Sequence, residues 1–163
     1  MCKGDEMLQK YLLIFFVSMV PLIELRGSIV MAVGMDLDYF TALTVCVIGN
    51  MLPVPIIYYF ARHVLVWGAD KKYIGKFFRF CLEKGEKGGQ KLIAKAGRGG
   101  LFVALMLFVG IPIPGTGAWT GTLAASFLNM GIKSTAAAVS LGVVIAGIIM
   151  GVASTGVFSV IGL

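Results

Sequence analysis

Residues 110–117, with the sequence GIPIPGTG, lie near the middle of the uncharged run 99–132. At about 1.5 Å per residue a continuous helix of this run would be roughly 50 Å long, whereas the hydrocarbon core of a bilayer is about 30 Å thick. The two prolines of the motif remove backbone donors, and its three glycines lower the cost of leaving the helix. We therefore predict a re-entrant hairpin whose tip, containing Pro112, Pro114 and Gly115, lies at membrane depth.

Charged residues are scarce in the chain and unevenly placed. They make up 13% of the 163 residues, and apolar types make up 58%. Of the 22 charged residues (14 Lys or Arg and 8 Asp or Glu), 12 lie within residues 70–98. Since about 20 apolar residues suffice to cross a bilayer, the remaining long uncharged runs predict an all-α integral membrane protein forming one membrane domain over residues 1–163.

The residues available for chemistry exclude several classes of site. The three cysteines lack metal-ligand spacing, and the chain has a single histidine. Disulfide frameworks, zinc sites and histidine-based catalytic triads are therefore not predicted. We expect no metal, no cofactor and no enzymatic activity.

The first hydrophobic block follows the same plan as the region around residues 110–117. Pro21 ends a short apolar segment, Gly27 begins the next, and residues 39–67 are long enough to cross. A shift of 94 positions aligns Gly27 with Gly121. The order predicts two inverted repeats, residues 1–69 and 99–163, each a re-entrant helical hairpin plus a full transmembrane helix. Four plain crossings are the alternative.

Residues 70–98 join the two predicted repeats. They hold nine Lys or Arg against three acidic residues, which predicts a cytoplasmic location by the positive-inside rule. The pattern is typical of a basic amphipathic linker on the inner leaflet, interrupted by a turn at residues 85–89. We expect anionic lipid head groups as its partners, and no nucleic acid. The segment is either a topology signal or a collector of anionic substrate.

Glu24 and Arg26 are the only charged residues between residues 11 and 35. An ionised side chain at membrane depth is costly, so both are candidate functional residues facing a cavity. Arg26 would bind a phosphate or carboxylate, and Glu24 is the candidate proton-coupling group because desolvation favours the protonated carboxyl. The alternative is an ion pair that closes the hairpin.

Further candidate substrate-binding residues lie in two places. Three follow or end the helix break at residues 110–117, which is the second break after the one at Pro21. Another lies within the first predicted crossing, residues 39–67. Thr116 is predicted to cap a helix whose first residues, from Gly117 on, offer free N–H groups to an anion. Trp119 either lines the cavity or packs in the core, and Asn50 either binds substrate or joins two helices. Gly147 and Gly151 match a small-x-x-x-small pattern, typical of a homodimer seam or of close packing within the chain.

The motifs PLIELRG (residues 21–27), GN (49–50) and PIPGTGAWTG (112–121) resemble the signature of the small multidrug export protein family of prokaryotes. That family is similar to the DedA superfamily of membrane transporters. The resemblance implies paired re-entrant hairpins, a place in the prokaryotic plasma membrane, and lipid scrambling or carriage, including that of undecaprenyl phosphate. Glu24 matches the membrane-embedded acid of the first DedA hairpin, whereas the second break lacks the arginines that DedA proteins carry there.

Three functions remain open from the sequence. The first is proton-linked translocation of an anionic amphiphile such as a phospholipid or undecaprenyl phosphate. The second is proton-coupled export of cationic drugs, with Glu24 as the binding acid. The third is a membrane scaffold that transports nothing.

Overall fold

The computed structural model describes residues 3–21, 23–70, 75–113 and 116–161. These residues form helices and no strand, which confirms the predicted all-α class for them. Pro114 and Gly115 lie outside the described residues. The helices are α1 (Lys3–Met19), α2 (Glu24–Gly34), α3 (Tyr39–Met51), α4 (Pro53–Ala69), α5 (Gly75–Gly110), α6 (Ala118–Phe127) and α7 (Ile132–Ile161).

Two helical stretches of the described residues are long and apolar enough to cross a membrane. They are Tyr39–Val64, which joins α3 and α4 across Leu52, and Ile132–Gly156 of α7. The stretch Gly97–Gly110 is apolar but shorter. α2 and α6, with 11 and 10 residues, are shorter still and on their own cover about half of a hydrocarbon core.

Most of the basic segment and the apolar start of the second half together form α5, which consists of two helices that meet at a kink. The predicted turn at residues 85–89 is wrong, because helix runs through it and Lys87 pairs with Glu83 at 3.7 Å on its surface. The backbone leaves helical geometry instead at Gly97, where φ is 70° and ψ is 178°. A positive φ favours glycine, which explains why the break occurs at this residue. Gly97 lies at the boundary between the charged and the apolar part of α5.

The same turn follows α2 and α6. Asp36 and Asn129 both take the left-handed conformation, with φ of 55°. The next N–H reaches back five residues in each case, from Leu37 to Ala32 O (3.1 Å) and from Met130 to Ala125 O (3.0 Å). Both turns are Schellman motifs with a buried apolar residue just after them. Positions 36 and 129 lie 93 residues apart, one fewer than the interval of 94 predicted from the sequence.

Two glycines at the same interval of 93 mark equivalent close approaches between helices. A Cβ on Gly49 would lie 2.7 Å from Phe15 O of α1, and a Cβ on Gly142 would lie 2.7 Å from Met106 O of α5. α1 thus packs on α3 as α5 packs on α7, while α2 packs on α7 and α6 packs on α4. Helices from both halves of the chain therefore pack into one common core.

The small-x-x-x-small pattern of α7 is used within the chain. A Cβ on Gly147 would meet Leu43 and Leu25, and one on Gly151 would overlap the ring of Tyr39. The Tyr39 hydroxyl also donates to Gly147 O at 3.1 Å. The structure therefore shows that both glycines serve close packing within the chain, which is one of the two interpretations of this pattern.

Candidate functional site

Glu24 binds the beginning of the helix that follows the second break. It starts α2 with φ of 51°, an uncommon conformation for a residue other than glycine. Its Oε2 accepts the N–H of Ala118 and its Oε1 the N–H of Trp119, both at 3.1 Å. Glu24 is only 6% exposed. A carboxylate at a helix N-terminus satisfies free donors and complements the helix dipole.

Gly117 makes room for this carboxylate. It is the N-cap residue of α6, and its own N–H is bound by the Thr120 hydroxyl at 2.9 Å. A Cβ at Gly117 would lie 1.7 Å from Glu24 Oε2. The prediction that Thr116 caps α6 is therefore wrong. The Thr116 hydroxyl contacts the carbonyl oxygens of Ile111 (3.0 Å) and Ile113 (2.9 Å) instead. The free N–H groups of α6 are bound by the carboxylate of Glu24 from the other half of the chain.

Gly117→Ala is expected to expel the Glu24 carboxylate from the start of α6. The free energy of unfolding should fall by about 2 kcal/mol, the cost of leaving buried donors unpaired. Thermal unfolding in detergent measures this, with Gly99→Ala as the control because a Cβ there meets nothing within 4 Å. In a Glu24→Ala background the same change should cost much less. Equal costs of Gly117→Ala in both backgrounds would contradict this assignment.

Arg26 binds the other end of the same break. Its guanidinium donates to the carbonyl oxygens of Val109 and Ile111 at 3.1 Å each, and also to those of Ile113 and Thr116. Helix ends leave carbonyl groups without partners, and a planar guanidinium with five donors can serve several of them. A cation at a helix C-terminus also complements the dipole. The carbonyls exposed by the proline motif therefore have a cation supplied by the chain itself.

The two charged residues of the first half thus bind the two helix ends on either side of the second break. Glu24 binds the N-terminal end of α6, and Arg26 binds the C-terminal end of α5. They form no salt bridge with each other, so the predicted alternative of an ion pair that closes the first hairpin is wrong. Their spacing of two residues directs the side chains apart, and each side chain reaches a helix end of matching polarity.

A partly open cavity of about 650 Å³ lies beside these contacts and is bordered by Glu24, Arg26, Gly27, Gly117 and Trp119. The Trp119 indole N–H donates to Met19 O at 3.2 Å, so this ring both packs against α1 and lines the cavity. Most of the wall is apolar. Besides Pro21, Pro112 and Trp119, the apolar residues of the wall are not among the predicted site residues, since in the sequence nothing distinguishes them from core residues: Ile23, Val30, Met31, Leu123 and Met150.

Comparison with known proteins identifies the family. A family model described as "Putative small multi-drug export protein" matches residues 24–149, which include both breaks and both charged residues of the site. The chain belongs to this family. No curated protein and no solved structure matches it. The name of the small multi-drug export family indicates a transporter-like role, and the two apolar stretches agree with a membrane location.

Asn50 lies apart from the main cavity of this small multi-drug export family protein. It borders a second cavity of about 10 Å³, together with Glu24, Arg26 and Val143 of α7. Asn50 is 1% exposed, and its Oδ1 has no hydrogen-bond partner. The structure therefore places Asn50 beside the charged pair but not on the large cavity. Among the residues described, no group of three or more His, Cys, Asp or Glu side chains could hold a metal ion.

Proposed function

We propose that the chain is a membrane transporter, not an enzyme, which moves an anionic amphiphile such as a phospholipid or undecaprenyl phosphate in a cycle linked to protons. The observation that carries the proposal is the cavity of about 650 Å³, whose wall is mostly apolar and whose polar end holds Glu24 and Arg26. An apolar wall suits an acyl or prenyl chain, and a few convergent polar groups suit a head group.

The contacts of Glu24 supply a mechanism. An ionised carboxylate accepts two N–H bonds from the start of α6, whereas a protonated one accepts them less well. Protonation would release the N–H groups of Ala118 and Trp119 to an anionic head group of the substrate. Because one negative charge replaces another near Arg26, the site would stay balanced in charge throughout the exchange.

The repeated turns and close approaches support an inverted-repeat architecture for this transporter. In our proposal the short helices α2 and α6 are arms of re-entrant hairpins, as in the DedA superfamily, and the two long stretches cross the membrane. The basic segment, residues 70–98, would then face the cytoplasm of a prokaryotic cell and bind anionic head groups.

Export of cationic drugs is the second candidate. It is favoured by the family's name and by the combination of an acid with the Trp119 ring in one cavity, since both attract cations. Arg26 in the same wall opposes a cationic ligand. We therefore rank the anionic amphiphile first.

Reconstitution into vesicles tests the substrate class. Vesicles with an imposed pH gradient would receive either a fluorescent phospholipid and a polyprenyl phosphate or a panel of cationic dyes. Our proposal predicts protein-dependent movement of the phosphate-bearing lipids that responds to the gradient. Movement of cationic dyes alone would establish the second candidate, and no movement of either class would leave the scaffold interpretation.

A further inference from the structure

Asn50 is the starting point for a site that none of the comparisons assigns. Its side chain lies within the membrane-crossing stretch Tyr39–Val64, and its Oδ1 is buried without a partner. Leaving a buried carbonyl oxygen without a donor costs about 1–3 kcal/mol, so native proteins rarely keep one. A donor from outside the protein is therefore expected at this atom.

The small cavity next to Asn50 has the size of one water molecule. Its volume is about 10 Å³, and a single water molecule needs roughly 10–15 Å³ measured as space for a water-sized probe. A buried water also needs two or more polar partners. Glu24 and Arg26 border the same cavity, and the other side chains around it are apolar. Since the guanidinium already donates to carbonyl oxygens, the Glu24 carboxylate is the second acceptor.

We propose that this cavity binds one water molecule, which donates one hydrogen to Asn50 Oδ1 and the other to the carboxylate of Glu24. Asn50 is then a positioning residue that acts on Glu24 through the water. Glu24 borders both the large cavity and this small one, so the water and the substrate contact the same residue from two different cavities.

The position of the cavity between the two halves accounts for its composition. Three pairs of its lining residues lie 93 positions apart: Glu24 with Gly117, Leu25 with Ala118, and Asn50 with Val143. The cavity thus lies where equivalent parts of the two halves meet. In each of the two polar pairs only the first half carries the polar member, which leaves space and an unpaired acceptor for one small polar molecule.

Nuclear magnetic resonance of the full chain in lipid nanodiscs tests the water directly. In the wild type we expect a magnetisation-transfer cross-peak between water and the Asn50 side-chain amide, because the bound water stays in the cavity for a long time. Val143→Ala is the control, because it enlarges the same cavity while keeping both acceptors, and the cross-peak should persist. Absence of the cross-peak in both proteins would overturn the proposal.

The role assigned to Asn50 rests on the proposed function and is tested separately. Asn50→Leu removes the acceptor and fills the cavity, so the maximal transport rate should fall severalfold while the half-saturating substrate concentration stays unchanged. An unchanged maximal rate would overturn the positioning role. If the wild type moves no substrate at all, the proposed function fails, and the water cross-peak still decides whether the site exists.

Discussion

Arg26→Ala is expected to lower the free energy of unfolding by about 2 kcal/mol, which lies within the range for hydrogen bonds that involve a charged group. The substitution strips four carbonyl oxygens at the end of α5 and in the loop after it of their shared donor. The oxygens of Ile111 and Ile113 keep the Thr116 hydroxyl as a donor, but those of Val109 and Thr116 lose their side-chain donor, so the break itself loses stability. Thermal or denaturant unfolding in detergent, followed by circular dichroism, measures the loss.

Two variants provide the comparison for Arg26. Arg79→Ala removes an exposed arginine whose Nε donates to Ala69 O at 2.9 Å, and it should change stability by less than about 0.5 kcal/mol. Arg26→Lys keeps the charge but not the planar fork of donors, so an intermediate loss is expected. If Arg26→Ala lowered the free energy of unfolding no more than Arg79→Ala does, the Arg26 guanidinium would not be stabilising the break.

Glu24→Gln is expected to reduce proton-linked transport to the level of protein-free vesicles. The neutral amide keeps the volume of the side chain, yet it neither binds a proton reversibly nor holds the start of α6 with a charge. The purified variant should remain folded and monodisperse in detergent, because glutamine oxygen still accepts one of the two N–H groups. Vesicle transport under a pH gradient is the measurement.

Glu83→Gln is the matched control for Glu24→Gln. Glu83 is an exposed acid on α5 whose only described ion pair is with Lys87, and its neutralisation should leave the transport rate unchanged. A wild-type rate in folded Glu24→Gln protein would remove Glu24 from the transport cycle. It would leave its capping contact with α6 intact as a structural feature.

The positions of the two breaks could be predicted from the sequence. Pro21 and the prolines of residues 110–117 cannot continue a helix, and the uncharged run 99–132 is too long for one crossing. The candidate residues could also be found, since a charge at membrane depth is costly wherever it lies. The break positions depend on local properties of the chain, and this is why they agree with the structure.

The partners of the two charges could not be predicted. Ala118 and Trp119 lie 94 and 95 residues from Glu24, and no local pattern links the two sites. Thr116 is the better cap by intrinsic preference, but Gly117 occupies the position because only a residue without Cβ admits the Glu24 carboxylate. From the sequence the free helix ends are predicted binding sites for a ligand, whereas in the structure Glu24 and Arg26 of the other half of the chain bind them.

The central contact of the site is the one between the Glu24 carboxylate and the start of α6. Amide proton shifts of selectively ¹⁵N-labelled Ala118 and Trp119 in nanodiscs test it, with wild type and Glu24→Gln compared. We predict that both resonances move upfield in the variant, while the amide of Thr41, which donates to Asp38 Oδ2 at 2.8 Å, stays in place. Unchanged Ala118 and Trp119 resonances in the folded variant would contradict the contact of the Glu24 carboxylate with these two N–H groups.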